Sequence, residues 1–187
     1  GEIYVGGIGV GRGYVHDWPW FFEGRSTVQV KSIQEICAWL SRCQYASDIA
    51  VFNEHDFWQH PVTFEATRKG DCEDHALWAW RKLTELGYSA EFVRGHYFDG
   101  TELRSRAHAA VVFEQSRTRY FLDASAKGSR AKMLMPVSAA RQLFCPECSV
   151  DSSFKTYGYV GRALILQRKL RDDGPLSKPI QPSASPN

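Results

Sequence analysis

Three side chains that can share one proton stand in a fixed order along this chain. Cys72 lies in Gly70-Asp71-Cys72-Glu73-Asp74-His75-Ala76, where a polar stretch gives way to an apolar-periodic one. His108 follows in Arg106-Ala107-His108-Ala109, and Asp123 in Phe121-Leu122-Asp123. A thiol at a helix start meets the positive end of the helix dipole and N–H groups with no helical partner, which favours the thiolate. A histidine can take the thiol proton, and a carboxylate can hold that histidine in one tautomer. The chemistry of such a set is attack on an amide carbonyl, with a thioester as intermediate. A merely structural buried thiol would need neither the helix start nor the downstream His and Asp.

The elements that must position these groups are legible in outline. Residues 107–114 and 119–123 read as two strands around the polar turn Gln115-Ser116-Arg117-Thr118. Centred between Gln115 and Ser116, the turn sets Val111 opposite Tyr120, Glu114 opposite Arg117 and His108 opposite Asp123. Opposed side chains share a face with Cβ atoms about 4.5–5.5 Å apart, so a His–Asp hydrogen bond follows from that register. A register shifted by two residues sets His108 opposite Ser125 instead. Residues 72–86 read as a helix with Cys72, Ala76, Ala79, Leu83 and Leu86 on one face, Asp71 as N-cap and Gly87 as left-handed C-cap. An earlier helix spans 32–43, with Ile33, Ile36, Cys37, Leu40 and then Gln44 along its stripe, and Ser32 with Glu35 as a capping box. Residues 45–61 read as a structured loop and 89–98 as a strand; 136–144 carries a short helix, and 154–170 is strand or helix. One nucleophile helix against mostly antiparallel strands is an α+β layout.

Length and composition set limits. A chain of 187 residues with 43% hydrophobic and 13% aromatic residues is expected as one domain, 1–173, with 174–187 a disordered Pro/Ser-rich tail. A net charge of +2 gives no pull toward nucleic acid. No apolar run approaches the roughly 18–20 residues of a membrane span. Residues 1–15 show no basic start or apolar segment of a signal peptide, so the compartment is left open: cytoplasmic on that absence, periplasmic if a leader has been trimmed. The run Gly6-Gly7-Ile8-Gly9-Val10-Gly11-Arg12-Gly13 fails the spacing of a dinucleotide loop and is not followed by the Gly-Lys-Ser/Thr of a phosphate loop. The aromatic group Trp18, Trp20, Phe21 and Phe22 reads as packing. Of five cysteines, one unpaired suits a reactive thiol; Cys145-Pro146-Glu147-Cys148 has the spacing of half a zinc site or a redox pair, or is a surface motif, while Cys37 and Cys43 read as small buried groups.

Taken together, Gly-Asp-Cys-Glu-Asp-x-Ala at 70–76, His-Ala at 108–109 and Leu-Asp at 122–123, with Trp58 and Pro61 upstream, resemble the transglutaminase-like cysteine protease superfamily and within it the bacterial transglutaminase-like cysteine peptidases. The resemblance covers about residues 31–136. It implies a papain-like core, a nucleophile helix on an antiparallel sheet, with Cys72 as nucleophile, His108 as base and Asp123 as orienting acid. It also implies a calcium site at the acids beside the cysteine, here Asp71, Glu73 and Asp74. Oxygen-only ligands suit Ca²⁺, and helix capping explains the same acids without a metal. The Cys145–Cys148 pair is not part of the family pattern.

Three functions are compatible with these residues. The expected one is a cysteine peptidase or amidase acting as a monomer on a protein or peptide, with no required cofactor. A transglutaminase or other acyltransferase would use the same triad with an amine in place of water. A non-catalytic binding module would keep the fold without needing the triad. The backbone N–H of Cys72 is the expected oxyanion donor, with Gln59 or Trp58 as the second. His75, three residues along the helix, is expected to pack, and His55, His60 and His96 receive no role.

Overall fold

The computed structural model describes residues 18–47, 58–98, 103–127, 133–159 and 177–179. The glycine-rich run at 6–13, the stretch 48–57 and most of the 174–187 tail lie outside them. A 3-10 turn, Trp18–Phe22, leads into α1 (Ile33–Ser41). The Ser32 hydroxyl caps α1 by accepting from the Glu35 N–H at 3.1 Å. The Glu35 carboxylate goes to the Lys31 N–H, one residue beyond the position a capping box uses. Ile33, Ile36, Cys37 and Leu40 are buried as their spacing predicts. Gln44 has left the helix and lies exposed in β1 (Gln44–Tyr45).

The next helix, α2 (Pro61–Thr67), replaces the end of the expected loop. Proline at the first position is preset for a helix and loses no hydrogen bond there. His60 caps it: Nδ1 accepts from the Val62 N–H at 3.1 Å, and Nε2–H donates to the Trp20 carbonyl at 2.7 Å. Burial keeps this ring neutral, with its pKa pushed down to about 4. A two-residue strand, β2 (Lys69–Gly70), pairs in parallel with β1 and delivers the chain to α3 (Cys72–Glu85).

α3 is the axis of the molecule. The expected single apolar face is corrected, because every residue of α3 from Cys72 to Leu83 is buried. The 3-10 turn, α1 and α2 cover the sides that do not face the sheet, so even its polar residues lie inside. Gly87 ends the helix at φ +92°, the left-handed cap its position predicts. Arg81 donates to the carbonyls of Glu23 at 2.7 Å and Gly24 at 2.6 Å. Lys82 donates to the Val28 carbonyl at 2.7 Å and lies 3.5 Å from Glu65. Glu65 in turn accepts from the Thr27 N–H at 2.8 Å and the Trp78 indole at 3.0 Å. Two buried cations and one buried carboxylate thereby strap residues 21–28 across α3.

The remaining strands are β3 (Ala90–Phe98), β4 (Leu103–Gln115), β5 (Thr118–Leu122), β6 (Leu134–Pro136), β7 (Phe144–Val150), β8 (Thr156–Tyr159) and β9 (Ser177–Pro179), with a one-turn helix α4 (Val137–Ala140) between β6 and β7. They form a seven-stranded antiparallel sheet in the order β6-β5-β4-β3-β7-β8-β9. The α+β layout read from the sequence is the one observed. Phe92, Ala109, Val111, Phe113 and Leu122 pack in the core that includes α3, and Val93, Ala110, Val112 and Phe121 pack with Val137, Ala140 and Phe144 on the other face. Both faces of β4 are covered, which explains its unbroken apolar run. Three residues of the segment expected to be a disordered tail form β9. An edge strand tolerates a proline at its end, as Pro179 is here.

The hairpin register is corrected by two residues. Val111 pairs with Leu122, Phe113 with Tyr120 and Gln115 with Thr118. The loop is Ser116-Arg117, both left-handed at φ 51° and 65°. A two-residue loop with both central residues at positive φ matches the twist of the strands it joins. It lacks the usual Asn or Gly, so the sequence alone misplaces it. The Cys-Pro-Glu-Cys motif is strand β7. Cα atoms three residues apart in a strand are about 10 Å apart, too far for a disulfide, and none of the five cysteines is joined in a disulfide. Pro146 sits at a bulge opposite Gly95, where a Cβ would lie 2.1 Å from the Cys145 carbonyl oxygen.

The strap sets a testable cost. Burial alone would raise the Glu65 pKa, but its hydrogen bonds and Lys82 hold it below the ordinary value. Its stabilisation is therefore full above the unfolded value of about 4.3 and is lost as pH falls further. Glu65→Ala leaves buried Lys82 with only the exposed Glu85 carboxylate at 3.7 Å and is expected to cost about 3–5 kcal/mol in urea unfolding at pH 7. A cost under about 1 kcal/mol would show that the strap does not hold the fold together.

Candidate active site

Two acids fix the start of α3. The Asp71 side chain accepts from the Asp74 N–H at 3.3 Å, and the Asp74 carboxylate accepts from the Asp71 N–H at 3.0 Å. Asp74 is fully buried and also accepts from the Gln59 backbone N–H at 2.7 Å and the Gln59 amide at 3.0 Å. Position 70 admits only glycine, because a Cβ there would lie 2.5 Å from Asp74 Oδ2 and 2.8 Å from Gln59 Nε2. Cys72 is thus held as the first helical residue, where its backbone N–H has no helical acceptor.

The Cys72 side chain is 6% exposed. Its thiol donates to Glu73 Oε2 at 3.1 Å, and not to His108. Glu73 Oε1 faces Arg94 Nη2 at 3.8 Å. Burial, then the carboxylates of Glu73 and Asp71, push the thiol pKa up, against the pull of the Ala109 backbone N–H. The helix start alone predicts a low-pKa thiol; in this resting arrangement the surrounding carboxylates reverse it.

β4 outruns β5, so among the described residues its outer edge has no strand partner from Ala110 back toward Leu103. The thiol meets this edge at Ala109. His108, the preceding residue, is buried, and its Nε2 lies 2.9 Å from Asp123 Oδ1. Asp123 stands just past β5, where its N–H donates to the Met133 carbonyl at 2.7 Å. In the observed register Asp123 is the diagonal rather than the direct neighbour of His108, a separation that a long side chain can span. Burial would raise the Asp123 pKa, but hydrogen bonds from His108, Tyr97 and Ser125 bring it below the ordinary value. An ionised carboxylate only accepts, so the imidazole proton rests on Nε2 and leaves Nδ1 as the basic nitrogen. His75, expected to pack, does so: Nδ1–H donates to the Asp71 carbonyl at 2.7 Å, Nε2 accepts from Lys127 at 3.1 Å, and burial lowers its pKa to about 4.

Two expected contributors are placed differently. Gln59 spends both amide hydrogens on the Lys69 carbonyl at 2.7 Å and on Asp74, so it is not aimed at an oxyanion. Trp58 is a core residue, 1% exposed, with the Arg94 guanidinium 5.0 Å from its ring. The acids Asp71, Glu73 and Asp74 do not fit an oxygen cage as they stand. Asp71 and Asp74 are turned onto backbone N–H groups, and Glu73 onto the thiol and Arg94. Among the described residues no three His, Cys, Asp or Glu side chains converge as metal ligands. Sequence reasoning missed Tyr97, whose hydroxyl donates to Asp123 Oδ2, and Arg94. Both lie on β3, where strand alternation gives no sign of a contact to Asp123 or Glu73.

No family model matches the chain, and no curated protein matches it. Among solved structures it is similar to three of Legionella pneumophila LapG. The calcium-bound form is 21% identical with a TM-score of 0.49, and the match covers 72% of each chain. The EGTA-treated form is 22% identical with a TM-score of 0.46, over 71% of this chain and 69% of that one. A third LapG structure is 22% identical with a TM-score of 0.47, again over 72% of each chain.

Proposed function

We propose that the chain is a cysteine-nucleophile hydrolase that cleaves amide bonds of a protein or peptide, with Cys72 as nucleophile, His108 as base and Asp123 as orienting acid. The observation that carries this reading is the buried His108–Asp123 hydrogen bond of 2.9 Å on the strand edge that the Cys72 thiol meets at Ala109. The thiol rests protonated on Glu73. On substrate binding it turns to His108, and Nδ1 takes the proton as sulfur bonds the carbonyl carbon. The Cys72 backbone N–H stabilises the oxyanion. Collapse of this intermediate breaks the C–N bond, and His108 returns the proton to the leaving amine. Water, deprotonated by His108, then cleaves the thioester and restores the thiol. No step needs a metal.

Denatured casein is a suitable probe, because hydrolysis releases new amino termini. Cys72→Ala and His108→Ala are expected to abolish cleavage, and Asp123→Ala to lower it about 10²–10⁴-fold. Full activity in Cys72→Ala would refute the nucleophile. Formation of an amine conjugate in place of free acid, when glycine ethyl ester is added, would move the assignment from hydrolase to acyltransferase.

The resting thiol makes a second prediction. Because its folded pKa lies above the ordinary value of about 8.5, substrate-free Cys72 should stay protonated through neutral pH and react with iodoacetamide only at alkaline pH. Glu73→Gln removes one cause and should shift the alkylation midpoint of Cys72 to lower pH. An unchanged midpoint would show that Glu73 does not hold the proton.

A further inference from the structure

We infer that Tyr97 is a positioning residue for the triad proposed above, acting on Asp123 and through it on His108. The inference rests on that reading but is carried by separate contacts. Tyr97 touches both partners at once: its hydroxyl donates to Asp123 Oδ2, and its ring lies 4.2 Å from the His108 ring, centroid to centroid, tilted by 32°. The opposite oxygen, Oδ1, takes the His108 bond at 2.9 Å and a weaker one from the Ser125 hydroxyl at 3.3 Å. The carboxylate is thereby pinned on both oxygens, and its plane is fixed.

That pinning is needed because Asp123 lies beyond the end of β5 and receives no ladder bonds from β4. A diagonal carboxylate on a strand end would otherwise rotate about its side-chain torsions and release the imidazole. Tyr97 comes from β3, two strands away, where β3 and β4 pair through Gly95 and His108. The absence of a side chain at Gly95 leaves the His108 ring covered by Tyr97 and by Phe144, whose ring centroid is 6.3 Å away. Among the described residues, the Asp123 charge is also felt by His75 on α3 and by Lys127 on its own segment, and neither donates a hydrogen bond to it. Among the described residues Tyr97 alone combines a donor to the acid with a wall for the base.

The test reads the imidazole first and turnover second. In ¹⁵N-labelled protein near pH 8, the His108 resonances, assigned by their loss in His108→Gln, should show a protonated Nε2 and an unprotonated Nδ1. Tyr97→Phe keeps the ring and removes the hydroxyl. Its two His108 nitrogen shifts are expected to move toward a common average as the tautomers mix, with casein cleavage reduced roughly tenfold in kcat at unchanged KM. Ser125→Ala, with its longer bond, should move the shifts less. A melting temperature close to that of the parent shows that Tyr97→Phe is folded; if it is not, 3-fluorotyrosine at position 97, which keeps the ring and changes only the acidity of the hydroxyl, carries the test, and unmoved His108 shifts there overturn the inference. Parent-like nitrogen shifts in Tyr97→Phe overturn the inference, as does a parent His108 protonated on Nδ1. Failure of the nucleophile reading is seen separately, as casein cleavage that survives Cys72→Ala, and it leaves the nitrogen shifts untouched.

Discussion

The candidate site depends first on one buried carboxylate. Asp74 accepts three N–H bonds, two from Gln59 and one from Asp71. These tie α3 to the loop before α2 and to β2 in a single knot. A buried anion is tolerable only with that many donors. Gly70 is the steric condition for the knot, since any Cβ would occupy the space where the carboxylate and the amide meet. The position of Cys72 as first helical residue follows, and with it the direction of its free N–H. The acids around the cysteine serve this construction, which is why they are turned inward.

The same acids work against the thiol. A helix dipole contributes about half a positive charge at its start, while Asp71 and Glu73 bring full negative charges to the same place. In the resting arrangement burial and the carboxylates prevail, and the thiol keeps its proton on Glu73. His108 is the reverse case. Its acid is ionised and triply hydrogen-bonded, so Nδ1 is poised to accept. In the proposed mechanism nucleophile and base are thus prepared separately, and moving the thiol from Glu73 to His108 is the step that joins them.

The legible parts of the chain were those with local causes. Ser32, Asp71 and Gly87 mark helix ends because capping acts within a few residues, and the α+β layout follows from apolar periodicity. The hairpin was legible as a hairpin but not in register, because Ser116 and Arg117 adopt left-handed conformations without the residues that advertise them. Residues 72–83 carry no sign of being buried all round, since the covering comes from segments far away in sequence. Pro61 was a helix start in plain view, hidden by the expectation of a loop. Tyr97 illustrates the general limit: its contact with Asp123 spans 26 residues and exists only because β3 and β4 pair as they do.

Arg81 and Lys82 both donate to backbone carbonyls of residues 21–28, and Lys82 also faces Glu65 on α2. Backbone carbonyls cannot be altered by substitution, so these bonds are indifferent to the side chains that the strap carries. They are not indifferent to whether the strap is there. A protease cut ahead of residue 29 would remove none of the proposed triad and little of the sheet, yet it would strip the carbonyl acceptors from two buried cations, leaving Arg81 with Glu85 and Lys82 with Glu65 and Glu85. Severing residues 21–28 would therefore act at the centre of the molecule and not at its periphery, because the bonds lost are those of the central helix.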